Sequence, residues 1–211
     1  ACAVKTLVDS LNTSMAETMM LRNAILNGIE AANLTVQQLG NGSATTLTVV
    51  TIEGLIARAY QVGDSEALIV GQRGVVKLQT LAHSPTGLAV EAGFLDQRAA
   101  LHHEERHLVS NFLGTPEMRI DVGTAVTLRP RDTVLVASDG LMDNVHVHEI
   151  IERIRKGRLS RAADNVISLA KRRMGSDATE QPSKPDDLSL ILFRKPYRAP
   201  RRDRKQSDKN Q

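Results

Sequence analysis

Between Thr45 and Leu78, four short runs rich in β-branched residues follow one another with only two to four residues between them: Thr45–Ile52, Leu55–Val62, Ala67–Val70 and Val75–Leu78. Connections this short cannot carry the crossover that parallel strands need, so successive runs are expected to be antiparallel neighbours. Glu53-Gly54, Gly63-Asp64-Ser65 and Gln72-Arg73-Gly74 supply the turn chemistry between them. The reading is an antiparallel meander. Two further strands are expected at Ala125–Leu128 and Val134–Ala137, across an Arg129-Pro130-Arg131-Asp132 turn, and a last one at Leu188–Phe193.

Helical periodicity brackets this β-rich middle. Val4, Leu7, Val8, Leu11, Met15, Met19, Ile25, Leu26 and Ile29 recur at spacings near three and four, which predicts helix over Cys2–Ala32 with the methionines on its core side. Shorter helices are expected at Val147–Arg155 and Arg161–Met174, and irregular helix over Val90–His107, with a short strand at Leu108–Leu113. Strands followed by helices and a final strand, mostly antiparallel, define an α+β class.

Hydrophobic residues make up 41% of the 211, enough for a core, and no apolar run approaches the roughly 18 residues of a spanning helix. Residues 195–211 carry seven basic and two acidic side chains, so +5 of the net +3 lies there and the remainder is −2. That segment reads as a disordered basic tail able to make weak electrostatic contacts. Aromatics at 2% cannot furnish a base-stacking platform, so no specific nucleic-acid partner is expected. A single cysteine, Cys2, fits a reducing, cytoplasmic setting.

Two acidic clusters stand at strand ends. Val134–Ser138 runs directly into Asp139-Gly140, and Asp186-Asp187 directly precedes the apolar run that starts at Leu188. If the two strands are antiparallel neighbours, these carboxylates converge, and converging carboxylates raise one another's pKa unless a cation neutralises them. Hard divalent ions such as Mg²⁺ or Mn²⁺ take such oxygen ligands. Turn and capping aspartates give the same local pattern.

In chain order, Gly63-Asp64-Ser65, Leu128-Arg129-Pro130-Arg131-Asp132, Ser138-Asp139-Gly140-Leu141-Met142-Asp143 and Asp186-Asp187-Leu188-Ser189 resemble the G-D-S-R, L-x-P-G-D, S-D-G-L-x-D and D-N-x-T patterns of PPM-type (2C-class) metal-dependent serine/threonine protein phosphatases, particularly compact bacterial ones. The resemblance spans about Ala44 to Arg194 and implies an αββα sandwich, two antiparallel sheets flanked by helices. It implies hydrolysis of phosphoserine and phosphothreonine in proteins by a metal-activated water, with two or more Mg²⁺ or Mn²⁺ ions. Carried over by position, Asp139 and Asp186 are metal ligands, and Asp64 belongs to a further, weaker site with Asp139 or Asp143. Asp64 equally reads as a cap of the Gly63 turn. The resemblance places a phosphatase domain at 1–194, acting as a monomer on phosphorylated proteins.

The sequence departs from those patterns. Glu66 stands in place of the arginine, Asp187 in place of the asparagine, and the D-G-x-G segment that supplies a bridging aspartate, with an arginine further upstream, is not among these residues. The expectation is a chain lacking its first strands, with impaired turnover. The alternative is a catalytically dead module that binds phosphorylated partners or regulates another protein.

His103-Glu104-Glu105-Arg106-His107 is a literal H-E-x-x-H. On an α-helix its histidines share a face and could bind Zn²⁺, with Glu104 as the base of a peptidase. A solvated polar run accounts for it as well. His146-Val147-His148 reads as the capping segment of the helix that follows. His83-Ser84 has no nucleophile motif around it, and no G-x-S-x-G occurs in the chain.

Overall fold

A computed structural model describes residues 2–16, 19–175 and 181–195. The basic tail read from the sequence lies outside them apart from Lys195. The chain begins with two helices, α1 (Cys2–Ala16) and α2 (Leu21–Gln37), where periodicity alone predicts one. They pack against each other so closely that a Cβ on Gly28 would lie 2.6 Å from Leu7 Cδ1. Folding back lets one helix pair bury Ala3 and Leu7 together with Ile25, Ile29, Ala32 and Val36. The methionines are not part of that face: Met15 and Met20 are exposed.

Strands β1 (Leu47–Glu53) and β2 (Ile56–Val62) form a hairpin in the register Glu53↔Ile56 to Leu47↔Val62. Its two-residue turn has Gly54 at φ 61° in the first central position, where glycine reaches the left-handed region without strain. Next come β3 (Glu66–Val70) and β4 (Val76–Gln79), a second antiparallel hairpin. The two hairpins do not continue one sheet. Gly63, at φ 107°, turns the chain from the first sheet into the second, so the expected meander is two hairpins in two layers.

The irregular stretch resolves into α3 (Pro85–Glu91), α4 (Gln97–Ala100) and a 3₁₀ turn at Glu104–His107. Ser84 caps α3, its Oγ accepting the Gly87 N–H at 2.9 Å, and Pro85 opens the helix where it has no N–H to satisfy. The strand expected at Leu108–Leu113 reduces to an isolated bridge between Thr45 and Leu113. Short strands β5 (Asp121–Val122) and β6 (Val126–Thr127) both pair with β2. Then β7 (Thr133–Ala137) enters the second sheet, followed by α5 (Asp139–Met142), α6 (Val147–Ile154), α7 (Leu159–Met174) and β8 (Leu190–Arg194).

The first sheet has the order β1–β2–β5, with β6 also on β2, and the second β4–β3–β7–β8, all antiparallel. Three apolar layers hold the stack together. The α1–α2 pair covers Leu47, Tyr60 and Val62 of the first sheet. Ala57, Ala59, Ala67, Ile69 and Val134 fill the space between the sheets. Leu68, Val70 and Leu135 meet Ile150, Ile154, Val166 and Leu169 of α6 and α7 on the far side. This is the αββα sandwich. Ile191 and Phe193 are cross-strand partners of Val136 and Val134 and so share their face, yet are 68% and 40% exposed. Among the described residues, β1 is the edge of the opposing sheet there.

Candidate metal centre

Strands β7 and β8 are antiparallel neighbours, with Ala137 opposite Leu190. The C-terminal end of one therefore lies beside the N-terminal end of the other, as the strand-end argument requires. Ser138 ties the junction: its N–H donates to Ser189 O at 3.0 Å, and its Oγ accepts the Ser189 N–H at 3.0 Å. Asp139 opens α5, its Oδ1 accepting the Gly140 N–H at 2.9 Å. A Cβ on Gly140 would fall 2.1 Å from Asp187 O, so the glycine is what lets the Asp139 and Asp186 segments approach.

What the carboxylates share is an ammonium group. Lys184 Nζ lies 2.9 Å from Asp139 Oδ2, 2.8 Å from Asp143 Oδ2 and 3.4 Å from Asp186 Oδ2. Asp139 and Asp143, four residues apart, project from one side of α5 and its C-terminal residue. Burial pushes the Asp143 carboxyl up, against hydrogen bonding to Lys184 that pulls it down. At Asp186, burial also acts upward, but the Asp187 backbone N–H and Lys184 outweigh it and hold that carboxyl low. Burial acts to lower Lys184, but its bonds to Asp143 and Asp139 prevail and hold it firmly protonated.

Asp64 reaches the same region from the corner between the sheets. Gly63 is clamped: its carbonyl accepts from Gln61 Nε2 at 2.9 Å and from the His83 N–H at 3.1 Å, and its own N–H donates to His83 Nδ1 at 3.0 Å. Asn111 Nδ2 also approaches His83 Nδ1, at 2.7 Å. Two donors on Nδ1 leave the ring proton on Nε2, which faces Asp121 Oδ2 at 3.0 Å. Gln61, His83 and Asn111 are all buried, so the turn bearing Asp64 rests on an internal polar network. Burial and, secondarily, the charge of Asp139 push the Asp64 carboxyl up.

A cleft of about 450 Å³ connects Asp64 with Asp139 and Asp143. Asp64, Glu66, Asp139 and Asp143 line its acidic side, and Leu81, Val90, Leu101 and Met142 are among its apolar walls. Glu66 accepts from Gln79 Nε2 at 3.1 Å, and burial pushes it up to about 7. Among the described residues, no three carboxylate, imidazole or thiolate groups form a ready-made metal cage. The donor set nonetheless fits a hard cation: it is all oxygen, with three aspartates gathered on a single lysine and Asp64 within reach of their charge.

The remaining motifs do not join the cleft as ligands. His103 is the cap preceding the 3₁₀ turn, its Nδ1 accepting the Glu105 N–H at 3.2 Å. The segment is one tight turn outside any α-helix, so the H-E-x-x-H spacing does not give the shared face that a zinc peptidase needs. His146 does precede α6, but no side-chain capping bond forms; its ring stacks on His148 at 5.4 Å. Asp132 is buried and holds its turn, accepting the Arg129 N–H at 2.6 Å and pairing with Lys77. Lys184, Gln61, His83 and Asn111 carry no motif. A proline after the lysine and an Asp pair after that are the only sequence marks near Lys184.

An α+β sandwich with an acidic cleft where strands of the second sheet end is the class of protein this architecture defines. The chain matches the family model described as Protein phosphatase 2C over residues 1–173, and it belongs to that family. It is 28% identical over 174 residues to a putative protein phosphatase 2C-type of Streptococcus pyogenes serotype M6, covering 79% of this chain and 70% of that one. To the serine/threonine phosphatase stp of Listeria monocytogenes serovar 1/2a it is 30% identical over 139 residues, 65% of this chain and 54% of that one. The chain thus spans about half the length of the Listeria protein. Its fold superposes on the S. agalactiae serine/threonine phosphatase with a TM-score of 0.73 at 27% identity, covering 92% of this chain and 81% of that one. The PstP catalytic domain, solved with two manganese ions, shares the fold at a TM-score of 0.69 and 22% identity, covering 90% and 79%.

Proposed function

We propose that this chain carries the chemistry of a metal-dependent serine/threonine protein phosphatase, hydrolysing phosphoserine and phosphothreonine in proteins. The observation that carries the reading is the meeting of Asp139, Asp143 and Asp186 at the joined ends of β7 and β8. Family membership and the manganese-bound PstP relative support it. Asp139 and Asp186 would hold one Mg²⁺ or Mn²⁺, and Asp64 with Asp139 or Asp143 a weaker one. Bound ions of this kind supply a water nucleophile at neutral pH and charge that stabilises the oxygens of an in-line phosphoryl displacement.

The chain's own residues set the geometry. Gly140 allows the two acidic segments to meet, the Gln61–His83 clamp fixes the corner that presents Asp64, and the apolar walls of the cleft exclude water from one side. Turnover by these 211 residues is low, because no D-G-x-G is among them. We read the phosphatase domain as residues 1–194, acting as a monomer in the cytoplasm. Separately, no helix among the described residues is long and apolar enough to cross a membrane.

The test is hydrolysis of a phosphothreonine peptide with Mn²⁺, comparing the chain with the Asp139→Asn/Asp186→Asn double variant. A slow, Mn²⁺-dependent rate that the double variant abolishes is expected. Equal rates in both would overturn the assignment, and Mn²⁺ binding with no hydrolysis would favour the dead regulatory module.

A further inference from the structure

Lys184 belongs to none of the family patterns, yet its ammonium is the point at which three carboxylates meet. The contacts are 2.9 Å to Asp139, 2.8 Å to Asp143 and 3.4 Å to Asp186, each through Oδ2. An exposed lysine gains little from an ion pair and keeps its rotamer freedom. Lys184 is different: its side chain is 19% exposed, and its backbone is bolted in place. Asn144, fully buried, accepts the Lys184 N–H on Oδ1 at 2.7 Å and donates from Nδ2 to Lys184 O at 2.8 Å. The same Nδ2 donates to Gly140 O at 3.0 Å. Asn144 directly follows Asp143, so the segment that carries two of the carboxylates also fixes the lysine's position. Pro185 locks the backbone between Lys184 and Asp186.

An ammonium offers three donors and one charge. Here Asp139 and Asp143 each accept one of its hydrogen bonds and Asp186 forms a third, longer ion pair, and those carboxylates are the ones assigned above as metal ligands. We propose that Lys184 is an internal cation of the acidic centre: a divalent ion binds only by displacing its ammonium from Asp139, Asp143 and Asp186, so the lysine sets the metal affinity of this chain. The inference rests on the metal-dependent reading of the same carboxylates. Displacement sends the ammonium, on its four-carbon stem, out of the cluster while the backbone stays anchored by Asn144.

The experiment is Mn²⁺ titration, by calorimetry or electron paramagnetic resonance, of the chain and its Lys184→Met and Lys184→Gln variants. Tenfold or greater tightening in both variants, lost again when Asp139→Asn is added, is the expected result. Unchanged affinity in the lysine variants, with binding still abolished by Asp139→Asn/Asp186→Asn, overturns the role of Lys184 and leaves the metal reading standing. No Mn²⁺ binding by any form overturns both. A second measurement needs no substitution: amine labelling of the unaltered chain read by mass spectrometry. Mn²⁺ is expected to raise modification of Lys184 at least threefold relative to Lys77; no rise overturns the inference.

Discussion

The Cα of Gly140 faces the carbonyl oxygen of Asp187 so closely that any Cβ there would stand 2.1 Å from it. Backbone lies on both sides, so neither group can rotate away. Gly140→Ala is expected to cost on the order of 1–3 kcal/mol, the usual penalty of overpacking a rigid contact. Urea denaturation reads it directly, and because the two acidic segments are pushed apart, Mn²⁺ affinity should fall as well. A variant as stable as the parent would show that the junction is softer than its geometry indicates.

Asn144 completes three hydrogen bonds to backbone groups of two segments without exposing any surface. Asn144→Ala strands those partners and is expected to lower stability by about 2–4 kcal/mol, since each unsatisfied buried group costs roughly 1–3 kcal/mol. Asn144→Asp keeps the acceptor for the Lys184 N–H but sets a buried carboxylate oxygen against the Gly140 and Lys184 carbonyls, and should be the least stable of the three near neutral pH. Chemical denaturation of the three proteins gives the order.

Glu66, held up to about 7 by burial, makes a pH prediction whose sign is fixed. A carboxyl with a raised folded-state pKa binds its proton more tightly in the native state than in the unfolded one. Its contribution to stability is therefore greatest below the ordinary glutamate value of 4.5 and declines as pH rises from there through about 7. In EDTA, Glu66→Gln should flatten that decline, by up to about 3 kcal/mol at pH 8 for a shift of this size. Calorimetric melting points at pH 5 and pH 8 make the comparison; parallel losses in both proteins would contradict it.

The H-E-x-x-H run offers a control. His103 caps a tight turn through its ring and does not line the cleft. His103→Ala with His107→Ala should leave the Mn²⁺-dependent rate within about twofold, and metal analysis of the parent chain should find no stoichiometric zinc. A collapse of the rate would bring the peptidase-like spacing back into consideration.

How far the sequence discloses this molecule follows from which interactions are local. The strand-end carboxylates were legible because Asp139 and Asp186 each abut a continuous apolar run, and adjacency of those runs is a rule about antiparallel pairs. The hairpins were legible from Gly54 and the β-branched runs. The jump at Gly63 was not, since a glycine turn reads the same whether the next strand joins the same sheet or the one above it. The break between α1 and α2 was hidden because apolar spacing continues across it; only the contact of Leu7 with Gly28 shows which residues face inward. Lys184 was invisible for a similar reason. Its partner Asn144 lies 40 residues away, and a lone lysine in a polar loop carries no local mark.

The corner at Gly63 ties the dimensions of the cleft to the thickness of the sandwich. Asp139, Asp143 and Asp186 all travel with the second sheet, whereas Asp64 hangs from the joint that binds it to the first. The spacers between the sheets include the very small side chains Ala57, Ala59 and Ala67, all fully buried. Enlarging Ala59 to leucine would wedge the layers apart and carry Asp64 away from the other three aspartates, so an interior alanine outside the acidic cluster acts as the gauge for how many negative charges the cleft can bring to bear on one ion.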